Sequence, residues 1–287
     1  MKGLILKNQN GYFTIFDEDH VMHLGRSRGR LKKKTDILVG DEVEYEWAGS
    51  EPSITKVFPR RNQLVRPPSA NIDLLVMTVS AARPEVNTYT LDRMLVLAEN
   101  AEIPAIICIN KSDLAEEASA ALAELYRKAG YTVISTSLKT GEGLEALLRH
   151  LTGRIIAFSG PSGVGKSSLL NHFLGEDHFE AGEISSKTGR GKNTTRHASL
   201  RRFGAKSFLM DTPGYTSLSI ETIHKEDAGF LFPDFRPYLG QCRFRNCQHL
   251  QEPECAVRQA VESGNISPSR YRSYCQILGE LSDLSSY

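Results

Sequence analysis

The chain has 287 residues, with 35 Lys plus Arg against 34 Asp plus Glu, 40% hydrophobic positions, five Cys and one Trp. This is globular composition long enough for two or three domains, and a net charge of +1 excludes a uniformly basic nucleic-acid coat. No apolar run approaches the roughly 18 residues of a membrane helix, and the start turns polar at Lys7, so a cytoplasmic protein without membrane contact is expected.

Residues 1–64 read as short strands without helices, at 11–16, 41–47 and 53–58, the pattern of a small β-barrel. In the second strand Val43, Tyr45 and Trp47 alternate with Glu42, Glu44 and Glu46. Arg26, Arg28, Arg30, Lys32, Lys33 and Lys34 place six cations in nine residues with no acid. A charge run is ordinarily a solvated loop, but on an OB-like barrel it becomes a candidate RNA-binding segment through phosphate contact. The Arg66-Pro67-Pro68 step reads as a linker.

From about residue 71, strands alternate with helices, which predicts βαβ units and a doubly wound parallel sheet. The strands are expected at 74–79, 105–109, 132–135, 154–159 and 208–210, and the helices at 91–101, 115–129, 144–151 and 167–174. Beyond residue 222 a small helical domain is expected, its last segment opening at Ser267-Pro268 as N-cap and first helical residue. The resulting domains are 1–64, 65–222 and 223–287.

Three loops carry phosphate and base chemistry. Gly160-Pro161-Ser162-Gly163-Val164-Gly165-Lys166-Ser167, followed by Ser168, satisfies G-x-x-x-x-G-K-[ST] between an apolar strand and a helix. Its backbone N–H groups can curl around phosphate oxygens, Lys166 can reach the β and γ phosphates, and the Ser167 hydroxyl can hold Mg2+. Asp211-Thr212-Pro213-Gly214 ends a second strand, where Asp211 suits a Mg2+ contact and the Gly214 N–H a γ-phosphate, though the same residues make a good turn. Asn110-Lys111-Ser112-Asp113 ends a third, where Asp113 can accept from the N1–H and 2-amino groups of guanine, Lys111 can cover the base and Asn110 can tie the loop. Read alone, it is also a helix N-cap cluster. After the next strand, Ser137 and Leu138 of Thr136-Ser137-Leu138-Lys139 can offer backbone N–H groups to guanine O6.

Cys242, Cys247, His249 and Cys255 bring three thiols and one imidazole within 14 residues. A closed tetrahedral structural zinc site accounts for that spacing, with unpaired buried cysteines or a redox pair as the alternatives. Cys275 fits core packing better than a fifth ligand.

These motifs resemble a GTPase, in an unusual order: the Asn-Lys-Ser-Asp loop at 110 precedes the P-loop at 160 and Asp-Thr-Pro-Gly at 211. With the barrel before and the Cys/His cluster after, the whole chain resembles the ribosome small subunit-dependent GTPase A (RsgA, also called YjeQ or YloQ) family of circularly permuted GTPases. The resemblance implies a GTP hydrolase that binds the small ribosomal subunit and its rRNA during late assembly, with Mg2+ accompanying GTP or GDP and one structural zinc; a monomer is expected. It also implies a switch segment at 189–197, in which Thr194 or Thr195 completes the Mg2+ shell. The family pattern has a His where this chain has Asn193, and Tyr215 stands where Ras-like enzymes orient water with Gln. Asn cannot take a proton from water, so slow intrinsic turnover is expected, with His197 a candidate substitute. The cationic run 187–202 would couple RNA contact to this switch, and 215–220 would lead from it towards the zinc domain. Three rivals are weighed: an ATP-dependent RNA or DNA remodeller on the same P-loop, disfavoured because Asn-Lys-Ser-Asp selects guanine; a GTP-gated RNA-binding assembly factor with little hydrolysis; and a zinc-only nucleic-acid module with a vestigial P-loop, disfavoured by the mutually consistent nucleotide motifs.

Overall fold

Five strands, β1 (Lys2–Gln9), β2 (Tyr12–Asp17), β3 (Met22–Ser27), β4 (Glu42–Ala48) and β5 (Glu51–Val57), close into a barrel of order β1-β2-β3-β5-β4. A one-turn helix, α1 (Gly29–Lys32), interrupts the expected all-strand segment between β3 and β4. Every pairing is antiparallel except β3 with β5. The computed structural model describes residues 1–32, 36–65, 67–175, 198–204, 206–211 and 220–284. They divide into two units, Met1–Val76 with Leu148–Tyr215, and Met77–Leu147 with Thr216–Tyr287.

The barrel interior is Ile5, Phe13, Ile15, Ile37, Val43, Tyr45 and Ile54, against which Leu31 of α1 packs. Val43 and Tyr45 point inward as their alternation with glutamates requires. Trp47 departs from that expectation: at the end of β4 it is 49% exposed, with the His23 ring edge-on at 5.3 Å. Neither β1 nor β3 shows a period of two in the sequence, and each has a physical reason. β1 carries a bulge between Ile5 and Lys7, so Ile5 and Leu6 are both buried and the Leu6 carbonyl accepts from Leu200 N–H at 2.8 Å. β3 turns Met22 and Leu24 outward and Gly25 inward, where an added Cβ would meet the Pro52 carbonyl at 2.5 Å.

Two short strands, β6 (Gln63–Leu64) and β7 (Ser69–Ala70), pair antiparallel on either side of the expected linker. Ser69, Ala70, Asn71 and Ile72 are buried, and Asn71 Nδ2 donates to the Gly40 carbonyl at 2.9 Å. The connection is therefore pinned to the barrel rather than a free spacer.

The α/β part follows as β8 (Leu74–Ser80), α2 (Thr88–Asn100), β9 (Ala105–Asn110), α3 (Glu116–Lys128), β10 (Thr132–Thr136), α4 (Leu144–Leu151), β11 (Ile155–Ser159), α5 (Lys166–Leu174), β12 (Arg201–Phe203) and β13 (Ser207–Asp211). β8 and α4 each run from one unit into the other. In the first unit the strand order is β8-β11-β13-β12; in the second it is β10-β9-β8. β9 with β10 and β11 with β13 are parallel, as expected, and every residue of β8 is buried, as a continuous apolar run requires. The expectation of a wholly parallel sheet fails at one edge, because β12 pairs antiparallel with β13. Its three residues, Arg-Arg-Phe, carry no strand signal that sequence can read.

The chain ends with short 3-10 turns at Lys225–Leu231 and Arg236–Tyr238, then α6 (Ala256–Glu262) and α7 (Pro268–Leu284). Ser267 caps α7 through its hydroxyl to Ser269 N–H, with Pro268 opening the helix as expected. Within the second unit α7 lies against α2, joined by Glu280 to Arg93 and Tyr89 and by buried Arg270 to Asp92. Among the described residues no helix is long and apolar enough to cross a membrane.

Candidate nucleotide loops and metal cluster

In the first unit β11 ends at Ser159 and the P-loop turns through Gly160, Gly163 and Gly165, which hold φ of 146°, 81° and 97°. Those angles are open to glycine and aim successive N–H groups into the turn. Val164 is buried and anchors the loop, and Leu169 and Leu170 bury the inner face of α5. No acid occupies the first turn of α5, so the positive end of the helix is left for an anion. Lys166 Nζ donates to the carbonyls of Gly160 and Pro161, both at 2.8 Å, folding the lysine back over the loop. β13 pairs Asp211 with Phe158, placing its backbone beside the end of the P-loop strand. The Asp211 side chain, with Thr194, Thr195, His197, Asn193, Gly214 and Tyr215, lies outside the described residues.

In the second unit β9 delivers Asn110 to a buried position, where its Oδ1 accepts from Thr136 Oγ1 at 3.3 Å. Lys111 takes a left-handed φ of 60° and its Nζ donates to the Arg83 carbonyl at 2.8 Å. Ser137 Oγ accepts from the N–H groups of Lys139 and Thr140 and donates to Asp113 Oδ1 at 2.6 Å. Asp113 does not cap a helix: the N-cap of α3 is Ala115, with no side-chain cap bond. The cluster does open a 3-10 turn, Ser112–Leu114, but no side chain caps it, and the Asp113 carboxylate is held by the neighbouring loop. Leu138, next in the chain after Ser137, is half-buried.

On the barrel, Arg26 lies over the Tyr12 ring at 4.2 Å and 3.9 Å from Glu51, and Arg28 is 3.5 Å from Glu46. The sequence run of cations hides these acidic partners, which come from β4 and β5. All four charges are more than half exposed, so such pairs contribute about 0–1 kcal/mol. The side chains of Arg30 and Lys32, and all of Lys33 and Lys34, lie outside the described residues.

Cys242, Cys247, His249 and Cys255 gather their ligand atoms within 4.8 Å of one another. His249 Nδ1 is 3.5 Å from Cys242 Sγ and 3.3 Å from Cys255 Sγ, and those two sulfurs are 3.9 Å apart. A tetrahedral zinc with bonds of about 2.3 Å to sulfur and about 2.0 Å to nitrogen spaces its ligands by about 3.5–3.8 Å, so the set fits. Burial keeps His249 below its ordinary value and therefore neutral, the form that ligates. Burial also pushes the Cys247 thiol up to about 12 and raises Cys255, so an anionic thiolate set there needs a cation. Tyr271 and Tyr274 of α7 donate to the carbonyls of His249 and Gln248 at 2.7 and 2.8 Å, tying the cluster to the helix. Cys275 is not one of the four.

Residues 57–221 match the RsgA GTPase family model and residues 2–54 the RsgA N-terminal domain. The small ribosomal subunit biogenesis GTPase RsgA of Alkaliphilus metalliredigens is 41% identical over 98% of this chain and 97% of its own, and that of Bacillus subtilis is 41% identical over 98% of each. Two solved structures cover 98% of the chain at 36% identity: YjeQ from Thermotoga maritima (TM-score 0.84, 98% of its own length) and YloQ, a circularly permuted GTPase (TM-score 0.82, 95%). The β-barrel, the permuted P-loop domain and the helical Cys/His region account for all of these matches, and the chain belongs to the RsgA GTPase family.

Proposed function

We propose that this chain hydrolyses GTP to GDP and phosphate on the small ribosomal subunit during its late maturation, in the cytoplasm; its relatives carry the name small ribosomal subunit biogenesis GTPase. The observation that carries the guanine part is Asp113, whose carboxylate is oriented by a Ser137 hydroxyl with both of its acceptor positions already filled by amides. The working division is a barrel at 1–64, the GTPase domain at 65–222 and the metal-tied helical domain at 223–287.

In this reading Asn110, Lys111, Ser112, Asp113, Ser137 and Leu138 take the base, and Gly160 to Ser168 take the phosphates. Ser167, Asp211 and one of Thr194 or Thr195 are the residues that would hold Mg2+ bound with GTP, where it would neutralise phosphate charge. The protein's own contribution is positioning. In this structure Lys166 is bonded to two loop carbonyls, and in the reaction it gives its charge to the γ-phosphoryl oxygens as charge builds there. Lys166→Ala is expected to lower kcat by about 100- to 1,000-fold, measured as phosphate release. The four cluster ligands would hold one zinc in a closed structural site. The exposed Tyr12, which carries Arg26 over its ring, and the exposed Trp47 give the barrel aromatic faces on which bases can stack, which suits rRNA.

Base selection is tested by Asp113→Asn. Two carboxylate acceptors are replaced by one carbonyl and one amide donor, so GTP affinity is expected to fall about 100-fold while a xanthine nucleotide, with an acceptor in place of the 2-amino group, gains. Unchanged GTP affinity in that variant would remove Asp113 from the site.

A further inference from the structure

Glu142 is an exposed glutamate in the loop between β10 and α4, and among the described residues it makes no ion pair. Its main chain is fixed by its neighbours. Gly143 holds a φ of +67°, and a Cβ there would sit 1.9 Å from the Ser135 carbonyl, so only glycine lets the chain pass so close to β10. The Glu142 carbonyl accepts from Ser137 N–H at 3.1 Å, and Glu142 N–H donates to Thr140 Oγ1 at 3.3 Å. Its side chain reaches across to the other base loop, where Glu142 Oε2 accepts from Ser112 Oγ at 2.9 Å. Ser112 is 3% exposed and immediately precedes Asp113.

Asp113 is thus held from two directions that meet at one residue. Ser137 Oγ donates to its carboxylate, and the Ser137 turn is closed by the Glu142 backbone; Ser112 sets its backbone, and Ser112 is held by the Glu142 side chain. We propose that Glu142 is a positioning residue for guanine recognition, fixing the Asp113 carboxylate at the height of the guanine N1–H and 2-amino group. It touches no nucleotide itself. The role rests on the reading of Asp113 as the base-selecting group. Without Glu142, Ser112 loses the acceptor that pins it, Asp113 gains freedom, and the contact needing two aligned acceptors suffers most.

The test uses the full-length protein with GDP and with inosine diphosphate, which lacks the 2-amino group. Glu142→Ala is expected to weaken GDP about 10-fold and inosine diphosphate about 3-fold, so the preference between them narrows. Glu142→Gln, whose amide oxygen still accepts from Ser112, is expected to return the preference to within about 2-fold of the parent. A parent preference that survives Glu142→Ala unchanged, or equal weakening of both nucleotides, overturns the role of Glu142 alone. A parent protein that binds the two nucleotides equally overturns the reading of Asp113 as well.

Discussion

Removing the metal from the Cys242, Cys247, His249 and Cys255 set, by an excess of a strong chelator or by Cys255→Ser, is expected to unfold the loop from Cys242 to Cys255. Structural zinc sites of this type contribute about 10 kcal/mol or more of apparent binding energy, which is folding energy where the site does not pre-exist. Beyond the Tyr271 and Tyr274 bonds to its carbonyls, the ligand-bearing loop has little else to order it: Cys255 and His249 are buried, whereas Arg243, Phe244, Arg245 and Leu250 face solvent. Without a cation, burial makes the thiolates costly, with Cys247 pushed up to about 12, so protons compete with the metal. The sign follows directly: metal retention falls as pH falls and rises as pH rises. Metal content by atomic emission, with circular dichroism after chelation, checks this. A protein that keeps its full thermal transition with no bound metal would refute the structural zinc.

The second large effect is expected at Arg270. Its guanidinium is 1% exposed and donates to Asp92 Oδ1 at 2.6 Å and Asp234 Oδ1 at 2.8 Å, over the Phe232 ring at 4.7 Å. Tyr126 Oη adds a bond to Asp92 at 2.9 Å. One cation thus joins α2 and α3 of the nucleotide-binding fold to α7 and the 3-10 region of the C-terminal part, all within the second unit. Burial lowers the Arg270 value, but the two carboxylates outweigh it and hold the group charged; for Asp92 burial dominates and raises it despite Arg270. Arg270→Met leaves two carboxylates buried without their cation, and breaking a buried pair in this way costs about 3–5 kcal/mol. A fall of about 10 °C in the thermal transition is expected.

The pH dependence of that variant has a definite sign. A carboxyl whose folded value is raised binds its proton more tightly when folded, so it adds stability below the folded value and loses it as pH rises through that value. Arg270→Met removes the cation that holds Asp92 down, so it should regain more stability on acidification from neutral pH than the parent does, and Asp92→Asn in the same background should restore part of the loss. A variant that melts like the parent at every pH would show the network to be dispensable.

The chemistry-bearing loops were readable because each is a local spacing with a local cause. Gly160 to Ser167 needs only a strand before and a helix after, and the Cys/His cluster spans 14 residues. The barrel was readable through β4 and β5, where inward and outward residues alternate, and through β2, an apolar stretch with β-branched and aromatic residues. It was not readable at β1, where a bulge buries two successive residues, or at β3, where the apolar residues face out. Arg270 with Asp92 joins positions 178 apart, and Ser112 with Glu142 joins two loops 30 apart; no periodicity records either pairing. The acidic partners of Arg26 and Arg28 were hidden for the same reason, since strand pairing brings Glu51 and Glu46 to them.

The most direct measurement of the central claim is phosphate release from GTP by the purified protein, with and without purified small ribosomal subunits, with ATP as the control nucleotide. The proposed function predicts slow GTP turnover alone, because Asn193 and Tyr215 replace the usual water-orienting groups, strong stimulation by the subunit, and no turnover of ATP. GTP turnover that stays undetectable with subunits present, or equal hydrolysis of ATP, would contradict it.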